Sequence, residues 1–257
     1  MSYLRYVAIG DSQTEGLNDG DETSGYRGWA DRLADMLAEV EPSVTYANLA
    51  VRGKLAAHVR AEQLAPAVAL KPDLVTVMAG MNDMIRPGFD LEAVAGDLDA
   101  MYAALRETGA EVVTFTFPDV SLVSPLFRRF RPRVLALNAR VQDSAGRHGA
   151  LVIDTFPHPA VCDPRLWSPD RVHGAPLGHA RMAAAVAYTL GLPGSDMSWT
   201  DPVLPVLPPV TALRRARQEA AWAGAFLGPW AVRRLRGRSS GDGRAAKRPD
   251  LLPVRPS

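Results

Sequence analysis

Ser12 lies just past an apolar run, Tyr6-Val7-Ala8-Ile9, within Ile9-Gly10-Asp11-Ser12-Gln13-Thr14-Glu15-Gly16. Such a run reads as a buried strand, and a hydroxyl at its carboxyl end sits where open parallel sheets bind ligands. Serine there is also an ordinary helix cap, so the chemical reading depends on residues farther along the chain. Gly53 comes after a second apolar run, Asn82 after a third, and Asp170-Arg171-Val172-His173 late in the chain. Acyl transfer needs a nucleophile, a base, a group that orients the base, and donors for the oxyanion. Ser12 supplies the nucleophile, and its own N–H at the start of a turn is free to donate. Glycine at 53 lets a backbone N–H come close to a ligand, and the Asn82 amide is a third donor. Asp170 and His173, three residues apart, can meet within one turn. The carboxylate would hold Nδ1–H and leave Nε2 facing Ser12.

Other polar residues have plainer readings. Asp11 is expected to organise the turn through backbone hydrogen bonds, and Asp83 to be structural. His179 is expected to pack or cap near the site. His58, His148 and His158 show no metal-ligand spacing with another His or carboxylate. The Arg128-Arg129-Phe130-Arg131 cluster reads as a solvated loop, with contact to an anionic or acyl substrate as the alternative. Cys162, the single cysteine, excludes an internal disulfide and a Cys-rich zinc site.

Strand-like and helix-like segments alternate. Strands are expected at 7–9, 44–49, 74–78, 112–117 and 151–154. Helices are expected at 28–40, 55–70 (broken or kinked at Pro66), 91–108, 133–148 and 177–190. The stretch 119–132 reads as the longest irregular one. Alternation of this kind predicts a parallel sheet covered by helices on both faces. Near-continuous apolar strands fit a sheet buried on both sides. The expected fold is a flavodoxin-like three-layer α/β/α sandwich with a five-stranded parallel sheet and a basic C-terminal helical tail.

The formal net charge of +1 conceals an asymmetry. Residues 211–257 hold eleven Arg or Lys against three acids, a surplus of eight positive charges, which leaves −7 on the first 210 residues. Body and tail are therefore read as separate objects: a domain at 1–200, a Pro-rich connector and basic amphipathic helix at 201–238, and a disordered segment at 239–257. The helix reads as docked on the body or on another subunit. The alternative is peripheral contact of 212–238 with an anionic membrane, with Trp222, Phe226 and Trp230 dipping in. Its apolar stretch is too short to span a bilayer. Charge alone, with no supporting motif, gives no reason to expect nucleic acid as a partner. With no secretory signal or membrane-spanning run, a cytoplasmic protein of bacterial style is expected.

The set of motifs resembles the SGNH hydrolases, the GDSL-like lipase/esterase family. Its first block is matched by Gly10-Asp11-Ser12, its second by Gly53, its third by Gly80-x-Asn82-Asp83 and its fifth by Asp170-x-x-His173, in family order across residues 4–190. The resemblance implies nucleophile Ser12, acid Asp170, base His173, and an oxyanion hole from the Ser12 and Gly53 backbones with the Asn82 side chain. It also implies ester hydrolysis through an acyl-enzyme, without metal or cofactor, on a small-molecule ester. A carbohydrate deacetylase or thioesterase would use the same site. A catalytically idle scaffold is the alternative from another class. The family often has Pro directly after the histidine, where this chain has Gly174-Ala175-Pro176, so the local turn is expected to differ.

Overall fold

The computed structural model describes residues 3–229 and 239–254. In chain order the elements are β1 (Arg5–Gly10), α1 (Ser12–Glu15), β2 (Gly20–Asp21), β3 (Gly25–Tyr26), α2 (Gly28–Val40), β4 (Thr45–Asn48), α3 (Ala56–Ala69), β5 (Leu74–Met78), α4 (Met81–Met84), α5 (Leu91–Glu107), β6 (Glu111–Phe115), α6 (Val120–Val123), α7 (Arg131–His148), β7 (Leu151–Ile153), α8 (Pro176–Thr189), α9 (Ala212–Trp222) and β8 (Arg248–Pro253). The main sheet runs β7-β6-β5-β1-β4-β8. Its first five members are parallel to their neighbours, and β8 pairs antiparallel with β4.

The alternation along β1 explains the three layers. Val7 and Ile9 face a core with Val59 of α3, Leu98 and Tyr102 of α5, and Leu137 and Val141 of α7. Tyr6 and Ala8 face the opposite core, with Trp29, Leu33 and Leu37 of α2 and Val186 of α8. Both faces are therefore apolar, as a central parallel strand requires. The buried hydroxyls on these faces pair with each other: Tyr6 with Thr76 at 2.9 Å and Tyr102 with Thr114 at 2.8 Å. Strands β4 and β5 flank β1, so the order of the sheet reverses there. The carboxyl end of β1 is thus the switch point at which such sheets bind ligands.

Of the break or kink expected at Pro66, the break is not found: the helix at 56–69 runs through it. Two expectations are corrected. The stretch 119–132 is not irregular: it holds α6 and a 3₁₀ turn at Pro125–Phe130. The sheet has six strands rather than five, because residues expected to be disordered form β8. Lys247 anchors that segment by donating to the carbonyls of Tyr26 (2.7 Å) and Arg27 (3.0 Å) and by pairing with Asp31 at 2.5 Å. Arg248 donates to the Tyr46 carbonyl at 2.8 Å and lies over the Tyr46 ring.

Among the described residues, no helix is long and apolar enough to cross a membrane. Trp222 is buried against the body rather than turned outward. Trp230 and Arg233, Arg234, Arg236 and Arg238 lie outside the described residues.

Candidate active site

The turn after β1 begins at Gly10. A Cβ there would come within 2.4 Å of the Met78 carbonyl oxygen of β5, so only glycine fits. Gln63 of α3 takes the place of a strand neighbour: its amide accepts from Gly10 N (2.8 Å) and donates to Gly10 O (2.9 Å). Asp11 then caps α1, accepting from Gln13 N at 3.2 Å. Ser12 is the first residue of that short helix and is buried to 7% exposure.

His173 and Asp170 reach Ser12 from the far end of the domain. His173 Nε2 lies 2.8 Å from Ser12 Oγ, and His173 Nδ1 lies 2.7 Å from Asp170 Oδ2. Burial pulls the Asp170 carboxyl upward. The His173 ring, the Ser168 hydroxyl and the His173 amide outweigh that and hold it well below the usual carboxylate range. An ionised carboxylate only accepts, so Nδ1 carries the imidazole hydrogen and Nε2 accepts from the Ser12 hydroxyl. This arrangement is poised to take a proton from Ser12 as the oxygen attacks an electrophile.

The carboxylate is held on several sides. Oδ1 accepts from Val172 N (2.9 Å), His173 N (3.0 Å) and Ser168 Oγ (2.6 Å), and Oδ2 accepts from Asn18 Nδ2 (2.9 Å). Gln13 ties the two halves together, donating to Val172 O (2.8 Å) and accepting from Gly174 N (3.2 Å). Asn18, Ser168 and Gln13 carry no spacing signal in the sequence. Gln13 stands beside the nucleophile but meets its partners some 160 residues away.

The candidate oxyanion donors come from three loops. Asn82, in α4, donates to Asp11 Oδ2 and to Lys54 O, both at 3.0 Å. It thereby links the residue before Ser12 to the residue after Gly53. Both of its amide hydrogens are engaged in these joints, a detail that residue type alone does not reveal. Gly53 has φ +74, and a Cβ there would lie 2.3 Å from Ser239 Oγ of the C-terminal segment. Arg52 is buried beside it, with Glu15 of α1 as partner: Nε donates to Glu15 Oε1 at 2.9 Å, and the backbone N–H of Arg52 donates to Oε2 at 2.7 Å. This pair locks the α1 turn to the Gly53 loop. Asp83 accepts from Ala56 N at 3.0 Å, a structural joint as expected.

His179 is fully buried. Nδ1 accepts from Trp29 N and Nε2 donates to Leu17 O, each at 3.2 Å. Burial brings its pKa down to about 4, so it is neutral and serves as a brace between α8 and α2. Burial also pushes Asp11 up to about 6, against the hydrogen bond from Gln13. A cavity of about 80 Å³ opens beside the site, bounded by Asp11, Gln13, Met78, Met81, Phe117 and Trp167 among others.

The model of the GDSL-like Lipase/Acylhydrolase family matches residues 8–181. No curated protein matches the chain. LAE5, an alpha/beta hydrolase enzyme from the metagenome of Lake Arreo, Spain, superposes with a TM-score of 0.62 at 23% identity, covering 74% of this chain and 95% of that one. Axe2, an acetylxylan esterase from Geobacillus stearothermophilus, gives 0.60 at 20% identity, covering 73% and 94%. At those identities the structural likeness speaks for the fold. With a family model matched over more than half of its length, the chain belongs to the GDSL-like lipase/acylhydrolase family and is an ester-bond hydrolase.

Proposed function

We propose that the chain is a serine esterase in which Ser12 is the nucleophile, His173 the general base and acid, and Asp170 the residue that orients His173. The observation that carries this reading is the continuous hydrogen-bonded line from Ser12 Oγ through the His173 ring to Asp170 (2.8 and 2.7 Å). In the first half-reaction Ser12 Oγ attacks the ester carbonyl and its proton passes to His173 Nε2. His173 returns that proton to the departing alcohol, leaving an acyl-Ser12. Water, deprotonated by His173, attacks the acyl carbon and releases the acid, and Ser12 regains its proton. The oxyanion is received by the backbone N–H groups of Ser12 and Gly53. Asn82 joins them by sharing a hydrogen it gives to Asp11 or Lys54. The likeness to an acetylxylan esterase supports a short acyl group, such as the O-acetyl group of a carbohydrate.

The test is hydrolysis of p-nitrophenyl acetate, butyrate and octanoate by the wild type, Ser12→Ala and His173→Ala. The acetate is expected to be the best substrate. Either substitution is expected to lower kcat by about three to six orders of magnitude. Activity surviving Ser12→Ala would overturn the nucleophile. A preference for octanoate would overturn the short-acyl reading.

A further inference from the structure

The Asp170–His173 turn is braced from outside the family domain. Arg171, in the middle of the turn, has φ +58, a left-handed conformation that an L-residue holds only when its surroundings require it. That conformation lets one carboxylate oxygen of Asp170 accept from both Val172 N and His173 N. On the carboxylate side the holders are Asn18, Ser168 and His173. On the opposite side the holders come from α9. Trp222 Nε1 donates to the Asp170 carbonyl oxygen at 3.0 Å. Glu219 Oε1 pairs with Arg171 Nη1 at 2.6 Å, and the Arg171 guanidinium lies 5.2 Å from the centre of the Trp222 ring. The clamp is itself anchored: Glu219 Oε2 accepts from the buried Ser124 hydroxyl at 2.5 Å, and Trp222 packs edge-on against Phe127 at 5.4 Å. Glu219 and Trp222 stand well past residue 181, where the family match ends.

We infer that Glu219 and Trp222 are positioning residues for the reaction, holding the Asp170–His173 turn in register with Ser12 through the Asp170 carbonyl and the Arg171 side chain. This part of the C-terminal extension thus supports the candidate active site from outside it. Neither side chain touches the reacting atoms. Their effect falls on kcat, because a misplaced base costs transition-state stabilisation without changing ground-state binding. The inference rests on the esterase reading above, and its test is chosen to separate the two.

Full-length Trp222→Phe keeps an aromatic ring against Phe127 but loses the N–H donor and part of the ring's bulk. Full-length Glu219→Gln keeps the shape and loses the charge. Steady-state kinetics on p-nitrophenyl acetate are expected to show kcat down by about 5- to 30-fold in each, with KM within about twofold of wild type. The proton NMR line of the His173 Nδ1–H shared with Asp170 is read on the same proteins, without substrate. It is expected to broaden or move upfield in both variants. Circular dichroism and thermal unfolding report whether each is folded, and Glu219→Gln, an isosteric change, carries the test if Trp222→Phe does not fold. Unchanged kcat and an unchanged low-field line in a folded variant would overturn the inference and leave the esterase reading standing. A rise in KM at constant kcat would also overturn it, by assigning α9 to substrate contact. Activity surviving Ser12→Ala would sink the serine-esterase reading, while the NMR line would still decide whether α9 holds the turn.

Discussion

Arg52 and Glu15 show how one pair of side chains can set a site that neither enters. The guanidinium and carboxylate are both nearly buried and joined by several hydrogen bonds, and the guanidinium lies 4.6 Å from the centre of the Tyr26 ring. Removing one partner leaves the other charge buried alone. Arg52→Ala is therefore expected to destabilise the fold by about 3 kcal/mol, seen as a lower urea midpoint at unchanged slope; a loss within about 0.5 kcal/mol would show that Glu15 finds other partners. Asn82 acts at the same scale. It ties Asp11 to Lys54, and in the proposed mechanism it is the third oxyanion donor. Asn82→Ala is expected to lower kcat by about a hundredfold or more. A fall in stability with kcat unchanged would restrict Asn82 to the structural joint.

Among the elements, α8 carries the clearest pH signature. His179 sits on its first turns, fully buried between Trp29 N and Leu17 O. Its pKa in the folded protein, about 4, lies below the ordinary 6.5 because burial disfavours the charged ring. Between those values the unfolded chain binds a proton that the folded chain does not. Stability present above pH 6.5 is then lost progressively as pH falls toward 4, by about 3 kcal/mol over the full window. Asp11 and Asp31, both raised to about 6 by burial, act in the opposite direction, so the comparison that isolates His179 is wild type against His179→Gln. Urea unfolding at pH 7.5 and 4.5 should show a smaller acid loss in the variant. Equal losses would mean that His179 does not titrate in this window. The start of α8 also demands close contact. A Cβ on Gly178 would lie 2.0 Å from the Leu166 carbonyl oxygen, so Gly178→Ala must push α8 away from the segment that leads into Asp170.

For the molecule as a whole, the C-terminal chain is integral rather than appended. α9 grips the Asp170 turn, Ser239 rests on Gly53, and β8 covers the outer edge of β4. Ending the chain after residue 243 would expose that edge, an unpaired template for association. The truncated protein is expected to melt at a lower temperature and to gain mass by light scattering; an unchanged melting temperature would make β8 an ornament of the sheet. Nearly all of the α/β/α order and the residue types of the candidate site were legible in the sequence, since both depend on local pattern. Apolar runs announce buried parallel strands, glycines mark the turns that approach strands or ligands closely, and Asp170 and His173 lie within one turn of chain. The sixth strand was not legible, because Arg248-Pro249-Asp250-Leu251-Leu252-Pro253 has no period of two and its prolines are tolerated only where one side of a strand needs no donor. Nor were Asn18, Gln13, Glu219 and Trp222 as supports of the catalytic turn. Their partners lie from about 50 to 160 residues away, and such contacts exist only once the sheet has brought the distant loops to one end of the strands. Local pattern determined which residues can do chemistry here; tertiary packing decided what holds them within hydrogen-bonding distance, because that distance is a property of the folded chain and of no segment in it.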